Sequence, residues 1–439
     1  MIGPFQNRTF RLLFAGRVIT NIGDSLYFVA AMWLVYSLTG DPFYTGLAGF
    51  LTMFPQMFQF LAGPFVDRWS IRLTLVTTQL LQAAIVSLIP LAHLLGVLRV
   101  ELVLMIMPIL AALNQFVYPA QSTALPRILD DEDLVAANSA FAIAYQGFAM
   151  VANGVGGILI GLLGAVALFA IDAVTFVVAA IVFATVTIPS AVAAKEEANG
   201  LTRSPAESGI DDSAVAADGG VSVLEESTSY LDQLGAGANV VRGTFLMWLV
   251  IGAALVNFTA GMVMAALPPY ADGLELPTVI EAIGASGTYG ILMAAIAGGT
   301  LLGAILANKV ATRPVGSTMI GCTSFTAGIW LVAIYADWLL ITAPLILLAF
   351  IPIGIINVQF ATVVQSAPPK EVVGRVSSIL GSASVAMLPV GSLAGGIVAG
   401  SFGPQIAMAS LAFGSTILAA YIILNPTLRR LDSPAELSI

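Results

Sequence analysis

Gly63-Pro64-Phe65-Val66-Asp67-Arg68-Trp69-Ser70-Ile71-Arg72 is a short charged island between two apolar runs, 43–66 and 73–93. A glycine opens it, an Asp-Arg pair stands in its middle, and a second arginine follows four residues after the first. Each flanking run is long enough for a helix of ~20 residues to cross a bilayer. Two such helices joined by so short a loop are antiparallel neighbours. The arginines then stay with polar headgroups while the aspartate docks at a helix terminus.

Working outward, the whole chain has the same character. Of 439 residues, 58% are hydrophobic and only 9% charged, and the mean hydropathy is +0.96. A soluble domain needs far more charge, so the composition is that of a polytopic membrane protein. The start of the chain carries Arg8 and Arg11 and runs into a long apolar stretch without a small-residue cleavage site, so the first helix is expected to be retained as a span. Cys322 is the sole cysteine and His93 the sole histidine. Intrachain disulfides, cysteine clusters and histidine-rich metal sites are therefore excluded. No basic patch points to nucleic acid, no glycine loop beside a lysine cradles a phosphate, and no nucleophile–histidine pairing points to an enzyme. The sequence calls for no cofactor and no metal.

Runs of spanning length number twelve: 12–38, 43–66, 73–93, 100–118, 136–162, 165–188, 244–268, 284–307, 316–335, 338–364, 376–400 and 405–425. Lysine and arginine orient them. With both termini cytoplasmic, fourteen of the sixteen basic residues fall inside; Arg99 falls outside and Arg17 lies within span 1. Count and orientation support each other. The expected place is the cell (plasma) membrane, with the lipid bilayer as surroundings and a monomer as the working unit.

Between spans 6 and 7 lies the one long polar segment, 189–243. Residues 189–240 hold nine acidic and two basic side chains, which accounts for most of the net charge of −9. This composition predicts a disordered cytoplasmic linker. It divides the chain into an N-terminal six-helix bundle, 1–188, and a C-terminal one, 244–439. The halves repeat: Pro108-Ile109 recurs as Pro352-Ile353, Gln115-Phe116 as Gln359-Phe360, and Gln121-Ser122 as Gln365-Ser366, at one fixed offset of 244.

These features together resemble the major facilitator superfamily (MFS) of transporters. The opening stretch is similar to that family's G-x-x-x-D-R-x-x-x-R loop between spans 2 and 3, with Gly63, Asp67, Arg68 and Arg72 in place and Ser70 where glycine is usual. The Gly23-Asp24 element, the Asp172…Thr175-Phe176 element and the loop Pro126…Leu134…Ala137-Asn138-Ser139 resemble the macrolide-efflux-like branch, to which siderophore exporters also belong. The resemblance implies an all-α integral membrane fold: twelve transmembrane helices in two pseudo-symmetric six-helix bundles, related as parallel repeats. It implies a central cavity among spans 1, 4, 7 and 10. It also implies that Gly63, Asp67, Arg68 and Arg72 form a conformational switch clamping spans 2 and 11. Small residues let helix backbones approach, and the resemblance assigns Gly154, Gly157 and Gly161 of span 5 and Gly391, Gly395 and Gly400 of span 11 to the interface between halves, with Gly299 and Gly303 of span 8 opposite span 5. The Gly-Pro pair that many antiporters carry in span 5 is missing; Val155 and Ile158 flank the glycines.

An ionisable group within a span costs about 2.5–3.5 kcal/mol to insert and marks a functional candidate. Three lie clearly inside spans: Arg17, Asp24 and Asp172. Arg17, Asn21, Asp24 and Phe28 share one face of span 1 by their spacing. Asp24 is too deep to snorkel, which makes it a proton-coupling candidate or a partner for a cationic substrate. Asp172 is the second proton-coupling candidate, on a span that the resemblance places at the periphery, where a structural role competes. Arg17, Asn21 and Phe28, with Asn114, Gln115 and Tyr118 of span 4, Asn257 of span 7 and Asn357 and Gln359 of span 10, are the substrate-cavity candidates. With Met32, Trp33 and Phe258 they suggest a large, mostly apolar cavity suited to an amphipathic small molecule. The reading is a secondary active transporter, proton-coupled and exporting amphipathic, drug- or macrolide-like solutes by alternating access. Facilitated or uptake transport of another solute, or a non-transporting receptor or scaffold, are the alternatives.

Overall fold

The computed structural model describes residues 3–56, 70–188, 244–276, 283–310, 312–366 and 384–432. Gly63, Asp67 and Arg68 of the loop motif, and the linker 189–243, lie outside the described residues. After a short turn at Pro4–Gln6 the helices are α1 (Arg8–Thr39), α2 (Pro42–Met53), α3 (Ile71–Val86), α4 (Leu88–Leu94), α5 (Val100–Asn114), α6 (Val117–Ile128), α7 (Asp131–Leu163) and α8 (Ala165–Ala184). The second half continues with α9 (Phe245–Asp272), α10 (Gly284–Val310), α11 (Val315–Ile334), α12 (Leu339–Ser366), α13 (Met387–Phe402), α14 (Pro404–Leu424) and α15 (Pro426–Arg429). Among the described residues nine segments are long and apolar enough to cross a membrane, with α3–α4 and α5–α6 each counting as one. Helices α2, α7 and α13 lie where the sequence places spans 2, 5 and 11, and the twelve-span count is consistent with this. The all-helical, twelve-span architecture read from the sequence is the architecture observed.

Local chemistry sets the ends. Asn7 Oδ1 accepts from the amides of Thr9 and Phe10, at 2.8 and 3.1 Å, and so caps α1. Gly40, at φ 65°, closes it in the left-handed conformation. Asp41 caps α2 through Phe43 N, at 2.9 Å. Ser70 caps α3 through Leu73 N with φ −64° and ψ 114°, a conformation that needs no glycine. The departure from the usual loop glycine is therefore accommodated. Span 4 runs further than its apolar stretch, to Ile128, bending at Gln115-Phe116. Pro119 explains the bend: it has no N–H for the Gln115 carbonyl and its ring crowds that carbonyl. The added turns are polar at Gln121, Ser122 and Thr123, which is why composition alone ended the span at 118.

Packing repeats as the sequence does. In the first half α1 packs on α7 and α8, and α3 on α8; in the second α9 packs on α13 and α14, and α11 on α14. Gly164 joins α7 to α8 at φ 81°, ψ 154°, and Gly403 joins α13 to α14 at φ 93°, ψ 154°. The same one-residue turn occupies the same place in each repeat.

The halves meet through α7 with α10 and α2 with α13. Gly157 lies against Gly290, and a Cβ on Gly161 would come within 3.3 Å of Gly287 Cα. A Cβ on Gly46 would come within 2.7 Å of Gly396 Cα, and Ser392 Oγ donates to Gly46 O at 3.2 Å. Several glycines sit elsewhere than the resemblance implied. Gly299 and Gly303 face α12, against Leu347 O and Ile351 O, while Gly391 and Gly395 face α9 at Phe258 and Met262. A helix in such a bundle has close neighbours on more than one side, and glycine spacing alone does not say which side it serves.

The apolar cores show where the halves join. One cluster contains residues of both halves, from Leu26 and Phe176 to Val263 and Ala412. Two others belong to one half each: Phe10, Leu75, Phe141 and Phe183 in the first, Leu246, Met319, Val363 and Leu428 in the second. The shared contacts lie toward the end of the bundle away from the chain termini. There Trp33 stacks on Tyr289, with centroids 5.8 Å apart, and Tyr36 Oη donates to Asp272 Oδ2 at 3.0 Å.

Candidate functional site

The polar face of α1 divides into two neighbourhoods. Toward the termini, Arg17 is 6% exposed. Its Nε donates to Gln121 Oε1 at 3.0 Å and to Tyr145 Oη at 2.9 Å, and a terminal nitrogen donates to Thr20 Oγ1 at 3.2 Å. Tyr145 donates in turn to Gln121 Oε1, and the guanidinium carbon lies 5.3 Å from the Tyr145 ring centroid. A buried guanidinium keeps its charge, and here neutral acceptors from α6 and α7 together with the ring face solvate it. The sequence singled out Arg17 but not Tyr145, and nothing in its spacing marks Tyr145 as a partner.

Two turns further along α1, about 10 Å by helical rise, Asp24 opens onto a cavity of about 180 Å³. Asn114 Nδ2 donates to its Oδ2 at 3.2 Å. Tyr27 and Phe28 of α1 share the wall; Leu110, Ala111 and Asn114 of α5, with Gln115, form another. Thr52 of α2 and the following Gln56, with Gln82 of α3, close a third side, and Asp172 and Phe176 of α8 form the base. Asp24, Phe28, Asn114, Gln115 and Asp172 thus come together, and every lining residue belongs to the first half.

Asp172 reaches this place because of Gly23. A Cβ there would overlap Asp172 Oδ1 and Thr175 Oγ1, so glycine leaves room for these two side-chain tips against α1. The Gly23-Asp24 and Asp172…Thr175-Phe176 elements, 148 residues apart between the two aspartates, are two sides of one contact. Thr175 Oγ1 donates to Asp172 Oδ1 at 3.2 Å and to its carbonyl at 2.8 Å. Gln79 and Gln82 belong to the same neighbourhood, and two glutamines three apart in an apolar run are a signal readable in the sequence. They bond one another at 3.2 Å, both almost fully buried.

The other candidates lie apart. Asn21 is half-buried on α1, its Oδ1 without a partner. Asn257 bonds back to Ala253 O of its own helix at 2.9 Å. Asn357 is exposed, and Gln359 is 3% exposed with both carboxamide atoms unpaired. Tyr118 is exposed. Met32 packs near Gly49, and Trp33 belongs to the contact between halves. Arg72 is exposed on α3. Among the described residues no group of three or more His, Cys, Asp or Glu side chains could hold a metal ion.

Comparison with known proteins bears on this geometry. The family model described as Major Facilitator Superfamily matches residues 13–392. The multidrug efflux pump Tap of Mycolicibacterium fortuitum is 26% identical over 451 aligned residues, covering 98% of this chain and 97% of its own. The uncharacterized MFS-type transporter YvqJ of Bacillus subtilis (strain 168) is 25% identical, covering 90% and 87%. The crystal structure of the nucleoside transporter NupG superposes with a TM-score of 0.69 at 12% identity, covering 95% of this chain and 98% of that one. At that identity the likeness is one of fold.

Proposed function

This chain belongs to the Major Facilitator Superfamily, and from that premise we propose that it is a secondary active exporter of amphipathic small molecules, coupled to protons through Asp24. Membership makes it a multi-pass membrane transporter and not an enzyme. The observation that carries the coupling role is the position of Asp24. It is an ionisable group in the middle of a span, open to a cavity, bonded to the neutral Asn114, while the cation on the same helix face is held by Gln121, Tyr145 and Thr20. A carboxylate locked in a contact ion pair has no use for a proton; this one is available to take and release it. The description of Tap as a multidrug efflux pump supports the direction and the substrate class.

The transporter works as a monomer in the plasma membrane with both termini in the cytoplasm. In that orientation the contacts at Trp33–Tyr289, Tyr36–Asp272 and Gly46–Gly396 close the outer side, and the separate cores of the two halves face inward. The solute path runs between the bundles 1–188 and 244–439, joined by the acidic linker 189–243. Asp67, Arg68 and Arg72 clamp spans 2 and 11 in one state, so Asp67→Asn lowers transport while expression persists.

The test is Asp24→Asn in proteoliposomes. The variant is expected to exchange lipophilic drugs across the membrane but to lose accumulation driven by an imposed pH gradient. Undiminished accumulation against the gradient would remove Asp24 from the coupling step.

A further inference from the structure

The cavity beside Asp24 holds a second carboxylate that one coupling residue does not explain. Asp172 is 0% exposed, lines the cavity, and leaves its Oδ2 without a hydrogen-bond partner. The Tyr27 hydroxyl, buried on the same cavity, also makes no hydrogen bond. A fully buried carboxylate oxygen with nothing to bond is costly to keep, more so inside a membrane. Gly23 leaves room for it there, since a Cβ at that position would overlap the Asp172 carboxylate and the Thr175 hydroxyl.

Charge gives the complement. The three ionisable groups clearly inside spans are Arg17, Asp24 and Asp172, a net charge of −1 when all are ionised. A single monovalent cation makes the set neutral. The groups facing the two carboxylates are Tyr27 from α1, Thr52 from α2, Gln82 from α3, Asn114 from α5 and Thr175 from α8, none of them charged at neutral pH. The nearby charge is Arg17, with Tyr145 of α7 held against it. Size decides what enters. A volume of about 180 Å³ is below the ~300–1,000 Å³ of small-molecule sites. A site lined wholly by one half is also not dismantled when the halves rock.

We propose that Asp24 and Asp172 are one coupling site that holds a single shared proton, passed between them through water in the cavity that both line. Asp24, half-buried, is the point of entry from the cavity; Asp172, wholly buried, is the acceptor behind it. This rests on the reading of Asp24 as the coupling residue and adds to it that Asp172 is a proton-carrying partner, not a packing residue. Paired carboxylates titrate as a unit, so losing either member changes the behaviour of the other.

The experiment compares the wild type, Asp24→Asn, Asp172→Asn and Asp172→Glu in proteoliposomes with either a pH or a sodium gradient. Ethidium is the transported probe, and infrared detection of the protonated carboxyl band accompanies transport. The pair predicts at least a tenfold loss of pH-driven accumulation in both Asn variants, partial rescue in Asp172→Glu, and a wild-type band worth one proton per chain. If Asp24→Asn loses drive while Asp172→Asn keeps it with an unchanged pH profile, the pair is wrong and the role of Asp24 stands. If Asp24→Asn keeps its drive, both readings fall. Drive by sodium in place of pH overturns the shared proton. Should Asp172→Asn not fold, the wild-type band alone decides: a band worth no proton or two refutes the pair.

Discussion

Gly157 of α7 and Gly290 of α10 meet backbone to backbone: a Cβ on Gly157 would overlap Gly290 Cα and lie 2.8 Å from its nitrogen. Neither neighbour has a flexible side chain to move aside, so a larger residue must part the helices. Overpacking of this kind costs about 1–3 kcal/mol, which is about a 5- to 150-fold shift between closed and open forms. Gly157→Val is therefore expected to open the end of the bundle away from the termini. Spin labels at Leu95→Cys and Tyr335→Cys, exposed at that end of each half, report it in a Cys322→Ser background. An unchanged distance distribution with full transport would show that the contact is incidental.

The paired turns at Gly164 and Gly403 make a different prediction. With φ of 81° and 93° and ψ near 154°, both occupy a region that is essentially glycine-only, where a side chain costs on the order of 1–3 kcal/mol. Gly164→Ala and Gly403→Ala are each expected to lower the thermal midpoint in detergent. Because they lie in different halves, their effects should add in the double variant. Transport per folded molecule is expected to stay near the wild-type value. A neutral effect on stability would mean that the turns relax at no cost.

The fold was legible because a bilayer permits few architectures: apolar run length, basic-residue bias and a fixed repeat offset each point to the same arrangement. The site was legible by halves. Asp24 and Asp172 stand out as charges in apolar runs, and each belongs to a short motif. That Gly23 brings them together depends on which face of α8 meets α1, and a helix as apolar as α8 all round gives no face to read. Gln121 shows the same limit. It appears in the sequence as part of the repeat, and only the bend before Pro119 swings it to Arg17. Glycine spacing misled for a related reason, since Gly299 and Gly303 serve the contact with α12 and Gly287 and Gly290 the contact between halves.

The Arg17 network yields a graded series. Gln121 and Tyr145 each make two of these bonds, but a phenylalanine at 145 would keep the ring face against the guanidinium, whereas a leucine at 121 offers it nothing. Losing a bond to a buried charge costs about 1.5–3 kcal/mol. Gln121→Leu should accordingly destabilise more than Tyr145→Phe, and Arg17→Lys should not restore what the planar fork provides. Thermal unfolding of purified protein reads the order, and equal midpoints for all three would refute the network as a stabilising element.

The last prediction concerns the contacts across the end of the bundle away from the termini. Tyr36 and Asp272 are a hydrogen bond at the exposed rim, and water competes for both partners, so Tyr36→Phe should cost little, about 0.5–1 kcal/mol. Trp33 lies against Tyr289, which is 1% exposed and fixed by the surrounding core. Removing the indole loses a stacked pair worth about 0.5–1.5 kcal/mol beyond its buried area, and the loss falls on the closed form alone. Trp33→Ala should thus shift the label distances toward the open form by more than Tyr36→Phe. In a double-mutant cycle the two should couple, because their rings lie 5.9 Å apart on α1 although they bond to different helices of the other half. The same substitutions should speed the step that opens this side and slow the one that closes it. Single-turnover release from proteoliposomes separates the two steps. If Tyr36→Phe proves the more disruptive, the hydrogen bond and not the aromatic stack holds this side shut.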